Sequence, residues 1–189
     1  MNRTFKIILS IALIYGCWTF LIRPNMGSQG FYDPENTAQQ EYKLTLLEPY
    51  SGIFRVMSRE DYFSGEEAKI SPVDFALGWG PMSDPQVYKQ LNIEQRNRWY
   101  YWRTSEQPPI PIAEINRHSA NTHLIPANKT IAEQLKKIRR DDLIRLKGHL
   151  VEVKAQNGFT WRSSLSREDT GNGACELMLV EDVQLISSL

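Results

Sequence analysis

The chain carries little with which to cross-link or charge itself. Its 189 residues hold two cysteines, Cys17 and Cys175, one near each end, so no disulfide framework can staple the fold. Twenty-two basic side chains balance twenty-two acidic ones, which excludes the positive excess on which phosphate-neutralising modules rely. The sequence contains no G-x-S-x-G elbow, no P-loop, no C-x-x-C and no H-E-x-x-H. Together these absences exclude a disulfide-stapled mini-protein and the enzyme classes that a short motif would announce. Hydrophobic residues at 41% and charged residues at 23% also exclude a disordered chain and a polytopic membrane protein.

Acid is missing altogether from residues 1–23, which hold Arg3, Lys6 and Arg23. Without those three, residues 24–189 carry 19 basic and 22 acidic side chains, a net charge of −3. Between them lies IILSIALIYGCWTFLI, residues 7–22, without a charge. Counting Phe5 and letting Lys6 snorkel brings this run close to the ~17 residues that a spanning helix needs at minimum. It reads as an uncleaved signal anchor (residues 1–23), contacting the membrane through residues 5–22. The alternatives are a cleaved signal peptide, which lacks an A-x-A-like site here, and a lipoprotein box at Ile14-Tyr15-Gly16-Cys17, where Tyr15 is too bulky. The positive-inside bias puts the remainder outside the cytoplasm. In a bacterium that is a single-pass inner-membrane protein with its C-terminal domain in the periplasm.

Residues 24–41, rich in Gly, Pro, Asn and Gln, read as a linker to a globular domain over 42–189. Short strands are expected at 42–47 and 52–58, parted by a turn at Pro49 to Gly52, and another at 73–79 with Val73, Phe75, Leu77 and Trp79 on one face. Asp84-Pro85 opens a short helix to Leu91. A strand follows at 98–103. Thr130 and Glu133 form a capping box for a helix over 130–140, with Ile131, Leu135 and Ile138 on its apolar face. Strand 143–153 slips phase around Gly148-His149, where a bulge is expected. A turn at 156–158 leads to strand 159–165, with Phe159, Trp161 and Leu165 inward. The closing strand, 175–185, puts Cys175, Leu177, Leu179, Val183 and Leu185 on one side. The fold class is therefore α+β: an N-terminal transmembrane helix, then a β-rich domain with one or two helices. Its sheet is expected to curl, or to form an OB-like, partly open barrel.

Three blocks are distinctive as a set: Ala76-Leu-Gly-Trp-Gly-Pro-Met-Ser-Asp84, Ala120-Asn-Thr-His-Leu-Ile-Pro-Ala127 and Trp161-Arg-Ser-Ser-Leu-Ser-Arg-Glu-Asp-Thr-Gly-Asn-Gly-Ala-Cys-Glu176. They resemble a family of uncharacterised bacterial proteins with a hydrophobic N-terminus and one compact domain. The resemblance covers residues 70–185 and implies a bacterial, membrane-attached protein. It carries over no catalytic residue.

Two groups of residues are candidate sites. In the run Arg98-Trp99-Tyr100-Tyr101-Trp102-Arg103, a strand would turn Trp99 and Tyr101 one way and Tyr100 and Trp102 the other. The exposed pair, flanked by Arg98 or Arg103, is expected to meet a ligand or partner. The second group is loop-centred: Ser163, Ser164, Arg167, Asp169, Thr170, Gly171 and Glu176, with turn-building as the simpler role. His118 and His123 are five apart, a poor spacing for a metal pair unless the chain bends near Pro126, and no metal or other cofactor is expected. Lys136, Lys137, Arg139 and Arg140 read as a solvated helix face, with anionic headgroups or a partner as the alternative. The expected function is a membrane-tethered, extracytoplasmic binding or assembly module with a protein partner in the envelope, and a non-enzyme is favoured. The rival is a hydrolase of envelope glycan or nucleic acid using His123 with Asp169 or Glu176. A nucleic-acid partner is disfavoured by the net −3 charge.

Overall fold

A computed structural model describes residues 42–166 and 175–188. The expected anchor and linker lie outside these residues, as do Arg167 and Asp169. Among the described residues no helix is long and apolar enough to cross a membrane.

The domain is mixed α+β with a ring-like sheet. Its organising element is β1 (Tyr42–Asp61), one continuous strand where two strands and a turn are expected. Pro49 and Gly52 do not turn the chain, because β6 (Leu143–Ala155) supplies partners from Tyr42 to Arg55. Bulges bend the strand instead, between Leu46 and Glu48 and again between Val56 and Ser58. The bend lets the far half of β1 pair with β2 (Val73–Gly78). The sheet then continues through β5 (Ser119–Pro126) to β8 (Glu176–Ser187) and back to β6, so the β1–β6 pairing closes the circuit. β5 and β8 run parallel, and the other ring pairs are antiparallel. Short β7 (Thr160–Arg162) is added to the outer edge of β6.

Side chains facing inward build the central core: Phe54 and Val56, Val73, Phe75 and Leu77, Leu124, Ile144, Leu146 and Leu150, and Met178, Val180 and Val183. The helix between β5 and β6 closes one end with Ile131, Leu135 and Ile138, the apolar face expected from their spacing. Its bounds differ from the expectation. The helix is Lys129–Lys137, and Asn128, not Thr130, is its N-cap, accepting the Ile131 N–H at 3.0 Å. The Arg59 guanidinium donates to the carbonyls of Leu135 (2.7 Å) and Ile138 (2.6 Å), so the helix stops three residues early on a cap from β1.

The anticipated irregularity at Gly148 is real, but the extra residue belongs to β8. Lys147 pairs with Asp182 and Gly148 with Val180, which leaves Glu181 between them. β6 keeps its alternation. Both of its parities are buried because the domain has a second layer. Val151 and Val153 join Ile70, Ile125 and Leu177 in an outer cluster, backed by Phe159, Trp161 and Leu179. Leu177 and Leu179 thus face away from Val183, and Leu165 and Leu185 are exposed, which corrects the two closing-strand patterns.

The other outer cluster comes from the insertion between β2 and β5. It contains a 3-10 turn (Gly80–Ser83), a one-turn helix (Pro85–Tyr88) capped by Asp84 as expected, and the hairpin β3 (Asn92–Arg96) and β4 (Trp99–Arg103). A helix (Ile112–Arg117) ends it. Met82, Tyr88, Leu91, Ile93 and Ile115 lay this insertion over Met57 and Ala76, on the outside of the ring.

Gly148 is where the ring is tightest, since a Cβ there would sit 1.9 Å from the Leu179 carbonyl oxygen. Gly148→Ala must therefore move backbone, and is expected to destabilise the domain by roughly 2–3 kcal/mol in urea unfolding. A midpoint equal to wild type would mean that the β6–β8 approach is looser than described.

Candidate functional site

The most unusual side chain in the ring is a carboxylate. Asp74 is the second residue of β2, whose six residues are all buried, and is itself 0% exposed. Alternation sends Val73 and Phe75 into the core and Asp74 outward, under the insertion. An ion buried there needs a countercharge and hydrogen bonds to offset its desolvation. Arg98 supplies the countercharge, with Nη1 2.8 Å from Asp74 Oδ1.

Arg98 reaches Asp74 from the tip of the β3–β4 hairpin. Arg96 pairs with Trp99, so Asn97 and Arg98 form a two-residue turn, and both have positive φ (52° and 68°). Asparagine tolerates that geometry; for arginine it is strained. The surroundings hold the strained residue through its N–H, its carbonyl and its guanidinium. Its N–H donates to the Tyr62 hydroxyl (3.2 Å), and its carbonyl accepts from Asn121 Nδ2 (3.1 Å) and, more distantly, from Cys175 Sγ. Its guanidinium carbon lies 3.6 Å from the Tyr62 ring centroid and 5.5 Å from that of Trp161.

The opposite wall comes from β5. His123 stands across from Asp74 in the strand register, with Nδ1 2.8 Å from Asp74 Oδ2. The contact is close without being an aligned hydrogen bond. The imidazole is nearly fully buried against Trp161, at a centroid distance of 4.7 Å. Asn121 Nδ2 is 3.4 Å from Asp74 Oδ2, while its Oδ1 accepts from Gln95 Nε2 at 2.6 Å. Farther along, the Tyr100 hydroxyl donates to Ser119 Oγ, which donates to the Ile115 carbonyl. The hairpin is thus latched to the ring by a line of buried polar contacts.

The candidate residues do not converge. Tyr100 and Trp102 face the ring and pack on the insertion's cluster. Trp99, half-buried, and Tyr101, 42% exposed, share the outward parity with Arg103. Arg103 pairs with Glu94, and Arg96 lies 4.9 Å over the Tyr101 ring. Glu176 is paired with Thr122 and Leu177 with His123, so Glu176 and His123 point to opposite faces of the sheet. That alternation removes Glu176 as a partner for His123. Ser163 and Ser164 are buried, and Ser163 Oγ accepts from the Leu177 N–H.

Nor do the histidines meet. His123 lies inside the continuous strand β5, which ends at Pro126, whereas His118 precedes the strand at the end of a helix. His118 stays at the end of its helix, beside Glu114 and the Trp79 ring, and His149 lies by Glu181. Among the described residues no three His, Cys, Asp or Glu side chains are grouped to hold a metal ion. Chemically, the Asp74–His123 pair has the residue types of a general-base dyad, but Arg98 and Trp161 occupy the space a substrate would need.

Of the residues that matter most here, Asp74, Asn121 and Tyr62 are not site candidates from sequence, and Arg98 is one only as a flank of the aromatic run. Two signals pointed to them: a lone carboxylate within Val73-Asp-Phe-Ala-Leu77, and Asn97 before an aromatic strand, a hairpin-turn residue. No family model, curated protein or solved structure matches this chain.

Three phenols report on this packing. Burial, followed by the Asp74 carboxylate, raises the pKa of Tyr62. Burial and the hydrogen bond it donates to Asp141 raise that of Tyr88. Burial pushes Tyr100 up to about 12. A raised folded-state pKa contributes stability that is fully present below the unfolded value of 10.0 and is lost as pH climbs through the folded value. Denaturation midpoints are expected to hold up to pH 10 and fall between pH 10 and 12, with a shallower fall in Tyr100→Phe. Identical pH profiles for the variant and wild type would show that the Tyr100 phenol is not buried against Ser119.

Proposed function

We propose that the chain is a membrane-tethered, extracytoplasmic assembly module whose domain is an OB-type barrel with its ligand face roofed over. The barrel reading is supported by the order of pairings. Taken in chain order, the ring strands are β1, β2, β5, β6 and β8; the first pairs with the second and the fourth, and the third runs parallel to the fifth. Helix Lys129–Lys137 joins the third to the fourth. OB barrels bind oligonucleotides and oligosaccharides on the face of their second and third strands, helped by the loops at one end.

The observation that carries the functional reading is that this face is already filled. Its strands here are β2 and β5, and the β3–β4 hairpin lies over them with Arg98 in the position where a ligand would stack. A domain so closed offers partners the outside of its cover. That surface presents Trp99, Tyr101, Arg96 and Arg103, the residue types that dominate protein–protein hot spots. The partner is an envelope protein rather than nucleic acid, in keeping with the net charge of −3 over residues 24–189. The uncharged run at residues 7–22 and the basic residues before it support the tether and the periplasmic side. The glycan or nucleic-acid hydrolase is the weaker reading, because His123 is covered and Glu176 lies on the other face.

The test is to replace Trp99 and Tyr101 with Ala in the full chain and compare cross-linked envelope partners with those of wild type. Each substitution is expected to cost the fold less than about 1 kcal/mol while weakening a captured complex by roughly 2 kcal/mol or more. A stable variant that captures the same partners equally well would overturn the assembly surface. The same captures made by Tyr100→Phe serve as the control for the inward side.

A further inference from the structure

We infer that the end of the ring closed by helix Lys129–Lys137 is a docking surface for an anionic lipid bilayer. This surface is separate from the hairpin, and the inference does not depend on the assembly reading.

The end combines two features that rarely coincide on a free surface. One is a concentration of cations in a domain with net negative charge. Lys136, Lys137, Arg139 and Arg140 follow one another at the helix terminus, are all exposed, and are joined by Lys89 through the Asp141 turn. The acids among them neutralise only part of this charge: Glu133 pairs with Lys136, Asp141 lies 3.6 Å from Lys89 and accepts from Tyr88, and the buried Asp142 accepts the Arg139 N–H at 2.8 Å. Lys137, Arg139 and Arg140 have no ion pair among the described residues.

The second feature is apolar. Leu185 and Ile186, near the end of β8, are 54% and 44% exposed although both are aliphatic. The register puts them beside the cations: Leu185 is opposite Ile144 and Ser187 opposite Leu143, the third residue after Arg140. A register shift at that point makes Ile186 the extra residue of the strand.

A bilayer interface satisfies both features at once, since headgroup phosphates take the cations and the acyl boundary takes the aliphatic side chains. An acidic peptide or a soluble polyanion would answer only the charge. The net −3 of residues 24–189 repels the same surface, so attraction is confined to this end and the docking has one orientation.

The experiment is hydrogen–deuterium exchange of the full chain on two lipid nanodiscs, one of phosphatidylcholine and one rich in phosphatidylglycerol. Slower exchange over residues 136–143 and 184–188 on the anionic disc alone, reversed by salt, is the expected result. The triple variant Lys137→Gln, Arg139→Gln, Arg140→Gln should weaken the docking equilibrium on the order of 100-fold. Unchanged exchange in β2 and β5 would verify that the variant is folded. Recovery of the protein on anionic discs only would support docking while overturning the tether. Equal exchange on both discs, or no recovery on either, would overturn the lipid surface. So would protection of these segments on phosphatidylcholine that rises with protein concentration, which assigns the patch to a second copy of the chain.

Discussion

The contact between Arg98 and Asp74 determines how the two layers of this domain meet. A buried carboxylate needs a countercharge and donors to offset its desolvation, and the arginine that supplies the countercharge comes from the hairpin tip. The strained backbone of Asn97 and Arg98 is the cost of delivering it. Once the guanidinium is seated, Tyr62, Asn121 and Trp161 are placed around it. The inner faces of β3 and β4 then lie on the ring, where Tyr100 and Trp102 bury against Met82 and Ile115. Ion pair and apolar cluster depend on each other, because the cluster excludes the water that would otherwise screen the pair.

That arrangement separates the domain into surfaces with different uses. The interior of the ring and both outer clusters are packing. The polar line from Gln95 through Asn121 to Asp74 and His123 is structural, satisfied largely by the protein's own groups. Two outward surfaces concentrate residues suited to contact: the back of the hairpin and the cationic end of the ring. Neither demands chemistry from the fold; both offer contact. The first, aromatic and arginine-rich, is the proposed assembly surface, and the second, cationic and aliphatic, is the proposed lipid surface.

The ring itself could be read in advance to a useful degree, because its cues were local. Alternation marks β2, β6 and β8 as strands, the i, i+4, i+7 series of Ile131, Leu135 and Ile138 marks the helix face, and the phase slip at Gly148 marks an irregularity whose extra residue lies in β8. Non-local physics decided the rest. Pro49 and Gly52 looked like a turn, but the partner strand β6 kept them extended. Thr130 and Glu133 matched a capping box, yet Asn128 was two residues nearer the end of β5 and took the cap. β5 shows no clear alternation because polar Asn121, Thr122 and His123 interrupt its apolar pattern; Asn121 and His123 face the latch, and Thr122 faces the inside of the ring beside Phe75. The pairing of Asp74 with Arg98 spans 24 positions, a separation at which sequence periodicity carries no information.

A double-mutant cycle on Asp74→Asn and Arg98→Met, read by urea unfolding of the full chain, tests the latch most directly. Each single change should cost about 3–5 kcal/mol, since each leaves a buried group without its partner. The double variant should cost well under the sum, with a coupling of roughly 2 kcal/mol or more. Costs that add to within about 0.5 kcal/mol would contradict the account, because the two side chains would then contribute to stability independently of each other.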